Sequence, residues 1–157
     1  MPMLLTLSVL ALAAQPLPRV EALPPPAFED AEVLAAAQAI FAPLETGDGP
    51  ALLKLVYPDG RVTASGTLPS GFSGTRSRSW ADYAARMKLG AGFVERISNP
   101  VVEVDGDVAM VWAPFTITEG GKVLSCGIDH FDMVRESGVW KVMNITFSSR
   151  VTGCPGQ

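Results

Sequence analysis

The apolar positions of this chain change their spacing once, near Phe93. Before it they recur at helical intervals. Leu34, Ala37, Phe41 and Leu44 form one stripe, with Val33 and Ile40 beside it, and this predicts a helix from Phe28 to about Ala42. Glu29, Asp30 and Glu32 stand in its first turn, where the helix dipole favours anions. Pro43 should end or kink it. Gly49 as N-cap and Pro50 at the first helical position predict a second, short helix, with Leu52, Leu53, Leu55 and Val56 as its apolar face. Pro58-Asp59-Gly60 reads as a turn and Arg61 to Gly66 as a short strand. Residues 66–78, rich in Gly, Ser and Thr and carrying Arg76 and Arg78, read as a solvated loop. Ser79-Trp80-Ala81-Asp82 has the spacing of a capping box. It predicts a third helix to about Lys88, with Trp80, Tyr83 and Met87 on one face and Gly90-Ala91-Gly92 ending it.

From Phe93 the pattern alternates with a period of two. Phe93 to Val104 reads as a strand interrupted at Asn99-Pro100, because proline cannot donate to a ladder. Asp105-Gly106 is a hairpin signal. Three further strands follow between Asp107 and Val151, joined by tight turns at Gly120-Gly121 and Ser137-Gly138. If each turn is a two-residue loop, Glu119 opposes Lys122 and Glu136 opposes Val139, and strict alternation sorts the side chains into two faces. One face holds Val111, Phe115, Cys126, Ile128, His130, Asp132, Met143 and Phe147, mostly aliphatic apart from His130-Asp132. The other holds Trp112, Asp129, Phe131, Met133, Trp140 and Asn144. Neither resembles a solvated face, as expected of a sheet covered by helices on one side and by a partner subunit on the other. Helices first and then a run of antiparallel strands predict an α+β fold.

Composition narrows the function classes. A chain of 157 residues carries one sizeable core. Its net charge is −4 with scattered basic residues, which argues against nucleic acid and against a polybasic membrane anchor. No apolar run reaches the roughly 18 residues needed to span a bilayer. Met3 to Ala14 is an uncharged apolar run ending in small residues, read as a signal peptide over 1–14 with cleavage near Ala13 or Ala14, although no Lys or Arg precedes it. Pro16, Pro18 and Pro24-Pro25-Pro26 make 15–27 an extended tether, leaving 28–157 as the domain. Secreted or periplasmic protein is therefore expected. Cys126 and Cys154, the two cysteines, suit an oxidising compartment. The register excludes a direct cross-strand bond, so a disulfide requires the tail to turn back, which Gly153 permits. On this register the bond would close one rim of a pocket. With one histidine and no CxxC, no metal site is expected, and no GxGxxG or P-loop indicates a cofactor.

Asp105-Gly106-Asp107-Val108-Ala109, then Gly138-Val139-Trp140-Lys141-Val142 and Ser148, set in this order of helices and strands, resemble the nuclear transport factor 2-like superfamily. The likeness is to its polyketide-cyclase-like (SnoaL-like) or lumazine-binding branch and covers roughly Phe28 to Cys154. It implies a cone-shaped fold: three N-terminal helices packed into a curved, mostly antiparallel sheet, with a pocket between and an outer face often used to form homodimers. Ketosteroid isomerase shares the fold. A gap-free match back from Trp140 sets His130 where that enzyme holds its oxyanion-hole acid, with Cys126, Ile128, Met143 and Phe147 on the pocket wall. The isomerase's carboxylate base would fall near Ala64 or Ser65, which cannot replace it.

His130, oriented by Asp132, is on this reading the candidate acid–base group, set against the plainer alternative of a satisfied core histidine. Asp129 reads as a solvated or interface residue. Phe41, Trp80, Met87, Val111, Phe115, Cys126, Ile128, Met143 and Phe147 are the expected pocket residues. The leading function is binding of a small apolar or aromatic molecule. The alternatives are a cofactor-independent lyase or isomerase using His130, or an interaction module whose pocket is plugged by Phe41, Trp80 and Met87.

Overall fold

The computed structural model describes residues 28–90 and 92–157; the expected leader and tether lie outside the described residues. Its helices are α1 (Phe28–Gln38), α2 (Phe41–Thr46), α3 (Gly49–Leu52) and α4 (Trp80–Ala84). Its strands are β1 (Val56–Thr67), β2 (Ser73–Ser79), β3 (Phe93–Ile97), β4 (Val101–Asp105), β5 (Val108–Glu119), β6 (Lys122–Glu136) and β7 (Val139–Ser149). The strands form one sheet in the order β2-β1-β7-β6-β5-β3, with β4 also on β5. Only β1 and β7 run parallel; the other pairs are antiparallel. This is the expected α+β architecture of helices on a curved, mostly antiparallel sheet.

Local chemistry accounts for the element boundaries. The first helix is in two pieces because Pro43 has no N–H for the carbonyl of Ala39, so the chain turns at Ala39-Ile40 before α2 resumes. Gly47 then closes α2 in the left-handed conformation. The cap of α3 is Asp48, not Gly49: its carboxylate accepts the Ala51 N–H at 2.9 Å. The Ser79 hydroxyl accepts the Asp82 N–H, as the N-cap half of a capping box does, while the Asp82 carboxylate accepts from the Ser79 hydroxyl in place of the Ser79 N–H, and α4 stops at Ala84. Two expectations fail. Pro58-Asp59-Gly60 is no turn but an irregular stretch inside β1, and much of the expected 66–78 loop is the edge strand β2. Its Gly-Ser-Thr composition pairs as strand because serine and threonine hydroxyls bond across it, Thr63 with Ser77 and Ser65 with Thr75.

The core lies between the helices and the concave sheet face. Val33, Ala37 and Ile40 of α1, Phe41 and Leu44 of α2, Leu52 and Trp80 pack on Val111, Phe131, Met133, Trp140 and Val142. Phe41 meets Phe131 edge to face, with centroids 6.2 Å apart.

Two bulges decide which side chains enter this core. Glu119 opposes Lys122 and Glu136 opposes Val139, as the turns require. Strict alternation then fails at Leu124-Ser125, where both residues face Ile117, and again beside Met143, between the pairs Met133–Val142 and Asp132–Asn144. Each bulge adds one residue and reverses the side-chain phase. Between them, the expected inward and outward sets exchange as a block. Phe131, Met133, Trp140 and Val142 are buried inside, and His130 and Asp132 face outward. The second bulge frees the Met143 carbonyl from the ladder, and the Trp80 indole N–H takes it at 2.8 Å. Gly60 makes this approach possible: a Cβ there would lie 1.7 Å from the Met143 oxygen.

Candidate active site

A cavity of about 270 Å³ opens on the concave side, between α2, α4 and the sheet. Its apolar wall includes Phe41, Leu44, Val62, Trp80, Phe93 and Phe147. Three polar side chains interrupt that wall: Tyr83 from α4, Glu95 from β3 and Asp129 from β6. Glu119 stands at the exposed end of β5.

Glu95 alternates with Phe93 and Ile97 along β3 and is buried among them. Asp129 opposes Ala113 of β5 and Phe147 of β7, and is 3% exposed. The first bulge turns it inward. The two carboxyl groups share a hydrogen bond. Burial pushes Asp129 from 3.8 up to about 7, and the hydrogen bond from Glu95 offsets part of that rise. Glu95 is driven well above the carboxylate range by burial, by the Asp129 charge and by Glu45, whose carboxylate accepts the Glu95 N–H and pairs with Arg96. Burial and mutual repulsion therefore favour one proton shared between the two carboxyl groups near neutrality. The Asp129 Oδ2 atom is buried and has no hydrogen-bond partner among the described residues. Burial and the Glu95 carboxyl push Tyr83 up to about 12, so it remains a neutral phenol.

This arrangement can hold an apolar molecule against a carboxylate that exchanges a proton near neutral pH. Among the described residues, no cluster of three or more His, Cys, Asp and Glu side chains converges on a metal-sized site.

The expected site residues divide. Phe41, Trp80 and Phe147 line the cavity. Met87 lines an adjoining cleft. Val111 and Phe115 are on the concave face but are sealed beneath other side chains, Phe115 edge-on to Phe147 at 6.1 Å. Cys126 and Ile128 lie on the convex face, and Met143 is displaced by its bulge, so none of the three lines the cavity. His130 and Asp132 are also convex. The His130 ring lies 5.8 Å from that of Trp112, and its Nε2 is 3.6 Å from Asp132 Oδ1. Strict alternation had placed them inside; the bulge at Leu124-Ser125 reverses them. The reading of Asp129 as a solvated or interface residue is corrected for the same reason. Its signal was its two-residue spacing from Phe131 and Met133 on one face of β6, just as the shared face of Phe93, Glu95 and Ile97 was the signal for Glu95.

Cys126 and Cys154 form a disulfide, with Cα atoms 5.7 Å apart. Cys126 pairs with Arg150, and the tail turns back through Gly153 at φ 66°, so the bond pins the tail to β6. It lies on the convex side and closes no rim of the cavity. Disulfides persist in oxidising compartments. No helix among the described residues is long and apolar enough to cross a membrane.

The family model for the SnoaL-like domain matches residues 29–146. The chain belongs to this family, within the nuclear transport factor 2-like superfamily. A comparison with curated protein sequences returns no match. Solved structures share the fold. A protein of unknown function with a cystatin-like fold from Nostoc punctiforme aligns with TM-score 0.65 at 14% identity, over 83% of this chain and 96% of its own. A nuclear transport factor 2-like protein from Novosphingobium aromaticivorans aligns with TM-score 0.62 at 19% identity, over 81% of this chain and 85% of its own. A ketosteroid isomerase-like protein from Erwinia carotovora atroseptica aligns with TM-score 0.57 at 20% identity, over 78% and 96%.

Proposed function

We propose that this protein binds a small, largely apolar molecule in the concave cavity and moves a proton on it, as a cofactor-independent lyase or isomerase. Asp129 is the base and Glu95 the neutral acid that holds it. One observation carries the reading: a carboxylate that burial raises to about 7, in the wall of an apolar cavity. A base is most useful when its pKa lies near the working pH. The likeness to a ketosteroid isomerase-like protein agrees with proton transfer as the class. The test is hydrogen–deuterium exchange at the α-carbon of 2-tetralone, an apolar ketone of suitable size, followed by NMR. The protein should accelerate exchange, the rate should fall as pH drops below about 7, and Asp129→Asn should abolish the acceleration. Equal rates for the parent and Asp129→Asn would refute the catalytic role and leave a binding protein.

The reading extends to assembly and address. We propose a homodimer through the convex face, where Trp112 is 47% exposed beside His130. Light scattering should report a dimer that Trp112→Glu dissociates; a monomeric parent refutes it. We also propose export directed by residues 1–14. Amino-terminal sequencing of protein from its own host should start near Ala14 to Pro16, and an intact Met1 on cytoplasmic protein refutes it.

A further inference from the structure

A cationic cleft adjoins the cavity, and its charges come from two separate elements. On the edge strand β2, Arg76 pairs with Ala64 and Arg78 with Val62. Val62 and Ala64 are buried on the concave face, so both arginines stand on the cavity side of the strand. Arg86 and Lys88 arrive from the segment after α4. All four line one cleft of about 250 Å³, which shares Leu44, Tyr83 and Phe93 with the main cavity. Arg76 and Arg78 also line a second adjoining cleft with Ser70, Ser125 and Ser149, which shares Val62, Tyr83 and Phe147 with the cavity. Their charges reach its interior, since both pull the Tyr83 phenol down against the burial that raises it.

These cations lack internal partners. The ion pairs among the described residues engage Arg96, Arg135, Lys141 and His130. Arg76 lies over the Phe72 ring at 4.6 Å, and no carboxylate meets Arg78, Arg86 or Lys88 among the described residues. Inward charges on an edge strand can serve to discourage pairing with another chain. That explains Arg76 and Arg78 but not the convergence of Arg86 and Lys88 from another element. Nor does overall composition explain it, since the chain has a net charge of −4.

We propose that the ligand is an apolar carboxylate. Its ring or hydrocarbon body fills the cavity against Trp80 and Phe147, and its carboxylate sits at the mouth between Arg76, Arg78, Arg86 and Lys88. Arginine pairs with carboxylate through two parallel N–H donors, so the mouth fixes orientation as well as charge. It sets the head group apart from Asp129, which then faces the body of the molecule. This deepens the function proposed above and rests on the cavity being the ligand site.

The test is calorimetric titration of the protein at pH 7.5 with 2-naphthoate and with 2-naphthamide, which share size and shape and differ in charge. The carboxylate should bind at least about tenfold more tightly, a difference of about 1.4 kcal/mol. The double variant Arg78→Gln/Arg86→Gln should erase that preference and leave amide affinity unchanged. Ile117→Trp, at a half-buried wall position, should weaken both probes. Equal or tighter binding of the amide, or a preference that survives the double variant, overturns the carboxylate proposal; the cavity reading stands if Ile117→Trp still weakens the amide. A carboxylate affinity that Ile117→Trp leaves unchanged places that ligand at the surface and overturns the proposal. Failure of both probes to bind overturns the proposal and the cavity reading together.

Discussion

Replacing Asp129 with asparagine should make the protein more stable at neutral and alkaline pH. The carboxyl group titrates at about 7 when folded, against 3.8 for the ordinary side chain. The folded state therefore binds a proton that the unfolded state has released between about pH 4 and 7. Stability falls as pH rises through that window, and above it the full penalty is present. A shift of this size corresponds to about 4 kcal/mol at 1.36 kcal/mol per unit. Asparagine has similar volume, carries no charge and still accepts the hydrogen bond from Glu95. Asp129→Asn should thus gain about 2–4 kcal/mol at pH 8 and match the parent at pH 4 within about 1 kcal/mol. Urea denaturation at unit steps from pH 4 to 8 measures this directly. At a slope of about 2 kcal/mol per molar urea, the midpoint at pH 8 should move up by about 1–2 M. The reasoning fails if the variant is less stable than the parent at pH 8, or if the difference between the two does not grow with pH.

Removing the disulfide through Cys126→Ser/Cys154→Ser should lower stability by about 3.5 kcal/mol on the chain-entropy account. Naphthoate affinity should not change, because the bond lies on the convex face; loss of affinity would return it to the cavity rim. His130→Ala should leave tetralone exchange and probe binding within about twofold, and a larger fall would restore the histidine to the site. Gly60→Ala should cost roughly 2 kcal/mol or more in urea denaturation, since the new Cβ collides with the Met143 carbonyl and breaks its bond from Trp80. Wild-type stability in that variant would refute the bulge geometry.

Much of the fold was legible because it rests on local signals that agree. Ser79 and Asp82 form the capping box, Pro50 opens α3, and Gly120-Gly121 and Ser137-Gly138 set the hairpins where they occur. The concave residues of β5, Ala109 to Phe115, and Ile145 and Phe147 of β7 also face the side that alternation gives them. What alternation cannot register is a single extra residue. The bulge at Leu124-Ser125 reverses β6 and the start of β7, and the bulge at Met143 restores the phase. Both ends of the meander therefore looked correct while its middle was inverted, and the inversion exchanged Asp129 for His130. The marks of bulging are close approaches that only three dimensions reveal. A Cβ at Gly127 would meet the Ser148 carbonyl at 2.0 Å, and the glycine at position 60 matters only once Met143 lies across from it. The edge strand β2 was hidden for another reason: its stability comes from cross-strand hydroxyl pairs, and its inward residues are arginines, so no apolar alternation marks it.

The position of Asp129 is hard to explain by stability. A bulge disrupts ladder bonds, and the inward carboxyl that follows it costs several kcal/mol when charged. An apolar residue or an asparagine at 129 would relieve that penalty and leave Phe131 and Met133 in place. The penalty approaches its full value at neutral pH, where the carboxylate form becomes available to a ligand in the cavity. The hydrogen bond from Glu95 offsets only part of that cost. The shifted titration and the apolar cavity coincide at one residue, and the proposed removal of a proton from a bound molecule is the use that fits both.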